Sequence, residues 1–93
     1  MNKENAKAIL ADELRKYRAK PYAALKDMIG QVDAYQITTP DGITYQIEVQ
    51  ILWDGKPDAD IRVIGAIDDG GWAAFSPSCD DFIMTPAETF LDE

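Results

Sequence analysis

Over the first thirty positions the apolar residues recur at a helical interval. Ala6, Leu10, Leu14 and Tyr17 are spaced 4, 4 and 3 apart, which lines them along one face of a helix. The spacing predicts a helix over residues 3–17, with Ile9 and Glu13 flanking the stripe. Asn2 or Asn5 is placed to cap it. Arg15, Lys16, Arg18 and Lys20 gather at its C-terminal end, where positive charge complements the helix dipole. Pro21 interrupts, because it pushes the residue before it out of helical angles. Proline is tolerated at the start of a helix, so a second short helix is expected from there. Tyr22, Leu25, Met28 and Ile29 form its buried side, and Gly30 ends it.

From residue 32 the period changes to two. Val32–Thr39 is predicted as a first strand, and Pro40-Asp41-Gly42 as a turn in which Gly42 takes the positive φ. In Ile43–Trp53, Tyr45, Ile47, Val49, Ile51 and Trp53 alternate with Thr44, Gln46, Glu48, Gln50 and Leu52. Such alternation marks an antiparallel strand covered on one side. Asp54–Asp60 reads as a polar loop, and Ile61–Ile67 as a third strand with Ile61, Val63, Gly65 and Ile67 on one face. Asp69-Gly70 suits a type I′ hairpin turn, which would lead into a fourth strand at Trp72–Phe75.

These elements predict an α+β fold: an N-terminal helix or helix pair packed on one face of a four-stranded antiparallel meander sheet. The chain reads as one domain over 1–93. Residues 1–30 are helical, 31–76 form the sheet, and 77–93 form an irregular tail that packs back through Phe82, Ile83, Met84, Phe90 and Leu91. The expected core is Leu10, Leu14, Tyr17, Leu25, Ile29, Ile37, Tyr45, Ile47, Val49, Ile51, Val63 and Ile67.

Charge adds a second layer to this picture. Residues 1–30 carry seven Lys/Arg and four Asp/Glu, a balance of +3, whereas residues 31–93 carry two and thirteen, a balance of −11. An acidic region of this kind disfavours binding to nucleic acid, which depends on cationic side chains displacing counterions. It favours either solubility alone or a basic partner. The apolar runs are far too short for a membrane span, and no apolar run follows the N-terminal lysines as a secretory signal requires. The single cysteine, Cys79, forbids an internal disulfide and suits a reducing compartment. A cytoplasmic protein is the expectation.

Candidate chemistry is sparse. The chain contains no histidine, which removes Ser-His and Cys-His nucleophile systems and histidine metal sites. Cys79 is followed by Asp80 and Asp81, whose charge disfavours a reactive thiolate, so a packing or incidental role is expected. Asp68-Asp69, Asp80-Asp81 and the Asp54/Asp58/Asp60 group could serve as cation ligands or as an acid–base pair. Arg62 stands where a calcium loop would need a further acidic ligand, and turn chemistry accounts for these aspartates more simply. Trp53, Trp72, Tyr17, Tyr22, Tyr35 and Tyr45 are expected mainly in the core, with interface anchoring as the alternative.

Tyr45-Gln46-Ile47-Glu48-Val49-Gln50, Trp53-Asp54 and the run from Arg62 to Trp72, followed by Phe75, Pro77, Phe82-Ile83 and Pro86, resemble a group of small bacterial proteins. The resemblance covers about half of the chain. It implies a compact α+β domain and carries no assigned activity, so no functional residue is transferred.

Three functions fit these readings. The first is a non-catalytic protein-binding or regulatory module with no cofactor, contacting a protein partner through Glu48, Asp54, Asp68 and Asp69. The second is an acidic inhibitor, of immunity or anti-defence type, that blocks a basic nucleic-acid-binding protein. The third is a small carboxylate-based ligand binder or enzyme. Salt sensitivity of binding separates the first two, and a pocket holding two close carboxylates would favour the third.

Overall fold

A computed structural model describes residues 1–71 and 77–91. Helix α1 (Lys3–Arg18) and the short α2 (Tyr22–Asp27) precede four strands: β1 (Val32–Thr38), β2 (Thr44–Trp53), β3 (Ile61–Asp68) and β4 (Ser78–Met84). The strands form one antiparallel sheet in the order β1-β2-β3-β4. The architecture is therefore the α+β arrangement that the change of period predicts.

Local signals act where the sequence places them. The Asn2 side chain accepts from the Asn5 N–H at 3.1 Å and caps α1, which pairs one of the helix's orphan donors. Pro21 is the N-cap of α2. Gly30 has φ +86° after α2, and its N–H donates to the Ile51 carbonyl at 2.9 Å. Gly42 has φ +86° and donates to the Thr39 carbonyl, closing the β1–β2 turn.

The core lies between α1 and one face of the sheet. Ala6, Leu10, Leu14 and Tyr17 of α1 meet Tyr45, Ile47, Val49 and Ile51 of β2, Ile61, Val63 and Ile67 of β3, and Phe82 and Met84 of β4; all are buried. Gly65 sets how closely the helix can sit. A Cβ at that position would lie 2.8 Å from Leu10 Cδ1 and 3.1 Å from Leu14 Cδ2, so the missing side chain is the seat of the helix. The short α2 plugs one end of the sheet: Leu25 is fully buried, and the Tyr22 hydroxyl donates to the Ala59 carbonyl at 2.6 Å.

Three expectations change. First, Ser78–Met84 is a regular strand paired along β3 from Ile67↔Ser78 to Ile61↔Met84, not part of an irregular tail over 77–93. The predicted strand Trp72–Phe75 lies outside the described residues. The chain does fold back after β4: Leu91 N–H donates to the Ile83 carbonyl and Met84 bridges Phe90. Second, Ile29 and Ile37 are only half-buried, because Ile29 follows the last turn of α2 and Ile37 lies on an edge strand. Ala6, Ile61, Phe82 and Met84 fill the core beyond the expected set. Third, Gly70 has φ +82° as expected, but the positive-φ non-glycine residues are Asp58 and Glu88. Asp69 is therefore not left-handed, and a type I′ turn, which needs positive φ at both central positions, is not formed. Instead Asp68 Oδ1 accepts from Gly70 N–H and Asp69 Oδ1 from Gly71 N–H, the local side-chain turns that aspartate favours.

Candidate functional site

With α1 on one side, the other face of the sheet carries no described element. The register arranges its side chains in rows: Leu52–Arg62–Ile83, Val32–Gln50–Ile64–Asp81, Ala34–Glu48–Ala66–Cys79, and Gln36–Gln46–Asp68. The apolar residues of this face, Val32 and Ala34 on β1 and Ile64 and Ala66 on β3, flank Gln50 and Glu48 of β2, with Asp68 and Asp81 at the margins. Val32 is 49% exposed and Leu52 36%. Between Ala34, Gln36, Gln46, Glu48, Ala66, Asp68 and Pro77 the face dips into a depression of about 570 Å³.

The four proposed contact residues separate into three places. Glu48 is exposed at the centre of the open face, and Asp68 lies on the same face across from Gln46. Asp54 sits at the far end of β2 and is engaged by Arg62 Nε at 2.7 Å. Asp69 turns toward the start of α1, where the Met1 ammonium lies 3.5 Å from its carboxylate. The Gly71 N–H and then that ammonium hold the Asp69 carboxyl below the usual carboxylate range. Arg62 lies on the open face, as the alternation of β3 predicts, and β4 adds Asp81, which the sequence reading does not place there. Arg62 bonds both Asp54 and Asp81, and Asp54 first among them raises the guanidinium pKa. Only the location of β4 could have revealed Asp81, and that depended on reading Ser78–Met84 as a strand.

Among the described residues no group of three or more His, Cys, Asp or Glu could hold a metal ion. In the Asp54–Asp60 loop, Asp54 faces Arg62 and Asp58 pairs with Lys26 at 2.5 Å, so protein cations take the places a bound ion would need. Cys79 is exposed on the open face rather than packed. Tyr17 and Tyr45 are buried, and Tyr22, Tyr35 and Trp53 pack at the margin of the core.

A second cluster lies between α1 and β1. The Tyr17 hydroxyl donates to Asp33 Oδ2 at 2.6 Å, the Tyr35 hydroxyl to Glu13 Oε1 at 2.9 Å, and Lys16 Nζ to Glu13 at 2.9 Å. Glu13 is 7% exposed, so its charge needs the donors that surround it. Every buried side-chain polar atom described has a partner. These carboxylates are held by phenols and a lysine, which locks β1 to α1.

The same cluster makes stability sensitive to alkali. Burial, then the Asp33 hydrogen bond, pushes the Tyr17 phenol well above its ordinary range. Burial, then the Glu13 hydrogen bond, pushes Tyr35 up to about 12. Unfolded tyrosine ionises near pH 10, so the folded state holds protons that the unfolded state has lost. The contribution is complete below about pH 10 and disappears as pH rises toward 12. Thermal melts followed by circular dichroism are expected to show the melting temperature falling across that window. Tyr17→Phe/Tyr35→Phe should start lower at pH 8 and decline less above pH 10; parallel curves would contradict the assignment.

No family model, no curated protein and no solved structure matches the chain.

Proposed function

We propose that the protein is a non-catalytic binding module that receives a basic protein partner on the open face of its sheet. The supporting observation is a face that no described element covers, on which apolar residues of β1 (Val32, Ala34) and β3 (Ile64, Ala66) stand on either side of Glu48, with carboxylates at Asp68 and Asp81 on its margins. The apolar side chains supply area for burial, and the carboxylates among and around them select a cationic partner and speed its encounter. Glu48 has no hydrogen-bond or ion-pair partner among the described residues, so its charge is available to a visitor. The shape fits an amphipathic basic segment laid across the strands.

Matched baits test this reading. Immobilised wild-type protein, Glu48→Lys/Asp68→Lys and a helix-side reversal, Lys3→Glu/Lys7→Glu, are exposed to the same native lysate. A basic protein retained by wild type and by the helix-side variant, lost from the open-face variant, and released between about 0.05 and 0.5 M salt is the expected result. Cys79 supplies an independent check, since a bulky maleimide there would stand on the open face and block the same protein. Equal retention by the open-face variant, or no specific retention by wild type, rejects the proposal. The narrower inhibitor reading requires in addition that nucleic acid compete for the captured protein.

A further inference from the structure

We infer that β1 is an interface for a second copy of this chain, and that two sheets join edge to edge there into one eight-stranded sheet. The two edges of the sheet differ. Along β4, Met84 and Ile83 are engaged by Phe90 and Leu91, and the rest of the edge carries the adjacent exposed aspartates Asp80 and Asp81. Charge on an edge strand is a standard barrier to pairing. Along β1 no described residue pairs with the outer side.

The hydrogen-bond phase identifies which groups face outward. Ile51 N–H donates to the Gln31 carbonyl and Thr39 N–H to the Ile43 carbonyl, so the odd-numbered residues between them point their backbone groups at β2. Antiparallel ladders alternate. The N–H and C=O groups of Val32, Ala34, Gln36 and Thr38 therefore point away from the sheet and, among the described residues, toward no partner.

A two-fold axis through Tyr35 satisfies all of them. It sets Val32 opposite Thr38 of the partner copy and Ala34 opposite Gln36, and both are hydrogen-bonded positions. Between these, Tyr35 meets its own equivalent and Asp33 faces Ile37. No like charges stand opposite each other, and the isologous geometry closes after one addition. Asp33, the one charge on the strand, is drawn under α1 by the Tyr17 hydroxyl and leaves the edge clear. Both helices lie on one side of the joined sheet, and the two open faces run together on the other.

Net charge gives this association a signature opposite to that of the basic partner. Each copy carries −8, so added salt screens repulsion and strengthens the dimer, while it weakens a complex with a cationic protein. The test is sedimentation velocity on the full chain from about 1 to 300 µM, at about 0.05 and 0.5 M salt. A concentration-dependent monomer–dimer equilibrium that tightens with salt is expected. Gln36→Pro removes only an outward-facing N–H, a change that edge strands tolerate. It should weaken dimerisation at least tenfold with the melting temperature of the monomer preserved. Should that variant fail to fold, Tyr35→Cys in a Cys79→Ser background provides the second readout. The non-hydrogen-bonded pair at the axis has the separation a disulfide needs, so oxidation should cross-link Tyr35→Cys far faster than Ile43→Cys. A monomer at every concentration and salt, or a dimer indifferent to Gln36→Pro and without the selective cross-link, overturns the inference and leaves the open-face proposal intact.

Discussion

Gly65→Val is expected to destabilise the protein by about 3 kcal/mol, at the upper end of what overpacking a core costs. The whole stability of a domain this size is about 5–14 kcal/mol, so the loss is a large share of it. The first added carbon already collides with Leu10 Cδ1 and crowds Leu14 Cδ2, and both leucines are buried with almost no exposure. Gly65→Ala should cost less, about 1–2 kcal/mol, because the conflicting atoms are side-chain ends that can rotate slightly. Leu10→Ala alone opens space and costs about 2–5 kcal/mol. Combined with Gly65→Val it should cost less than the sum, since the new side chain enters the vacated volume; a coupling of about 0.5–3 kcal/mol is expected. Urea unfolding of the four proteins measures this. Strict additivity would mean that α1 does not cross the sheet at Gly65.

Phe82→Ala is the second substitution with a large expected effect, about 3–5 kcal/mol. Phe82 is buried in β4 opposite Val63, and its ring meets Phe90 edge-on with centroids 5.6 Å apart. The Arg18 guanidinium lies 4.9 Å from the Phe82 centroid and 5.1 Å from that of Phe90, so one residue ties the end of α1, β4 and the returning segment together. Hydrogen exchange on the variant should show lost protection at Leu91 N–H first, because its bond to Ile83 depends on that packing. A cost below about 1 kcal/mol, typical of a surface change, would make β4 peripheral.

What the sequence reveals depends on how repetitive each signal is. The α1 stripe and the ten-residue alternation of β2 repeat often enough to fix both element and face, and the structure matches them nearly residue for residue. Ser78–Met84 defeats pattern reading because Cys79, Asp80 and Asp81 give its first half no alternation; only Phe82 and Met84 carry it. Its register comes from β3, which local sequence does not encode. Gly65 was visible as a core-face position, but its role needs the height of the helix above the sheet. The acidic residues were legible in number and not in grouping: Glu48 and Asp68 share a face, whereas Asp54 and Asp69 were withdrawn by Arg62 and the N-terminal ammonium. Those pairings cross from one element to another.

The seat of α1 on β3 and β4 also dictates the order in which the molecule can assemble. The helix is the first element in the chain, and part of its docking site is the last strand. The β1–β2 pair can close through its short turn, but the stripe from Ala6 to Tyr17 has nowhere complete to go until Phe82 and Met84 are present. Contacts that span nearly the whole chain delay folding, because loop-closure entropy must be met before they form. On the ribosome, α1 would therefore emerge early as an amphipathic segment whose native packing is completed only after β4 has cleared the exit tunnel.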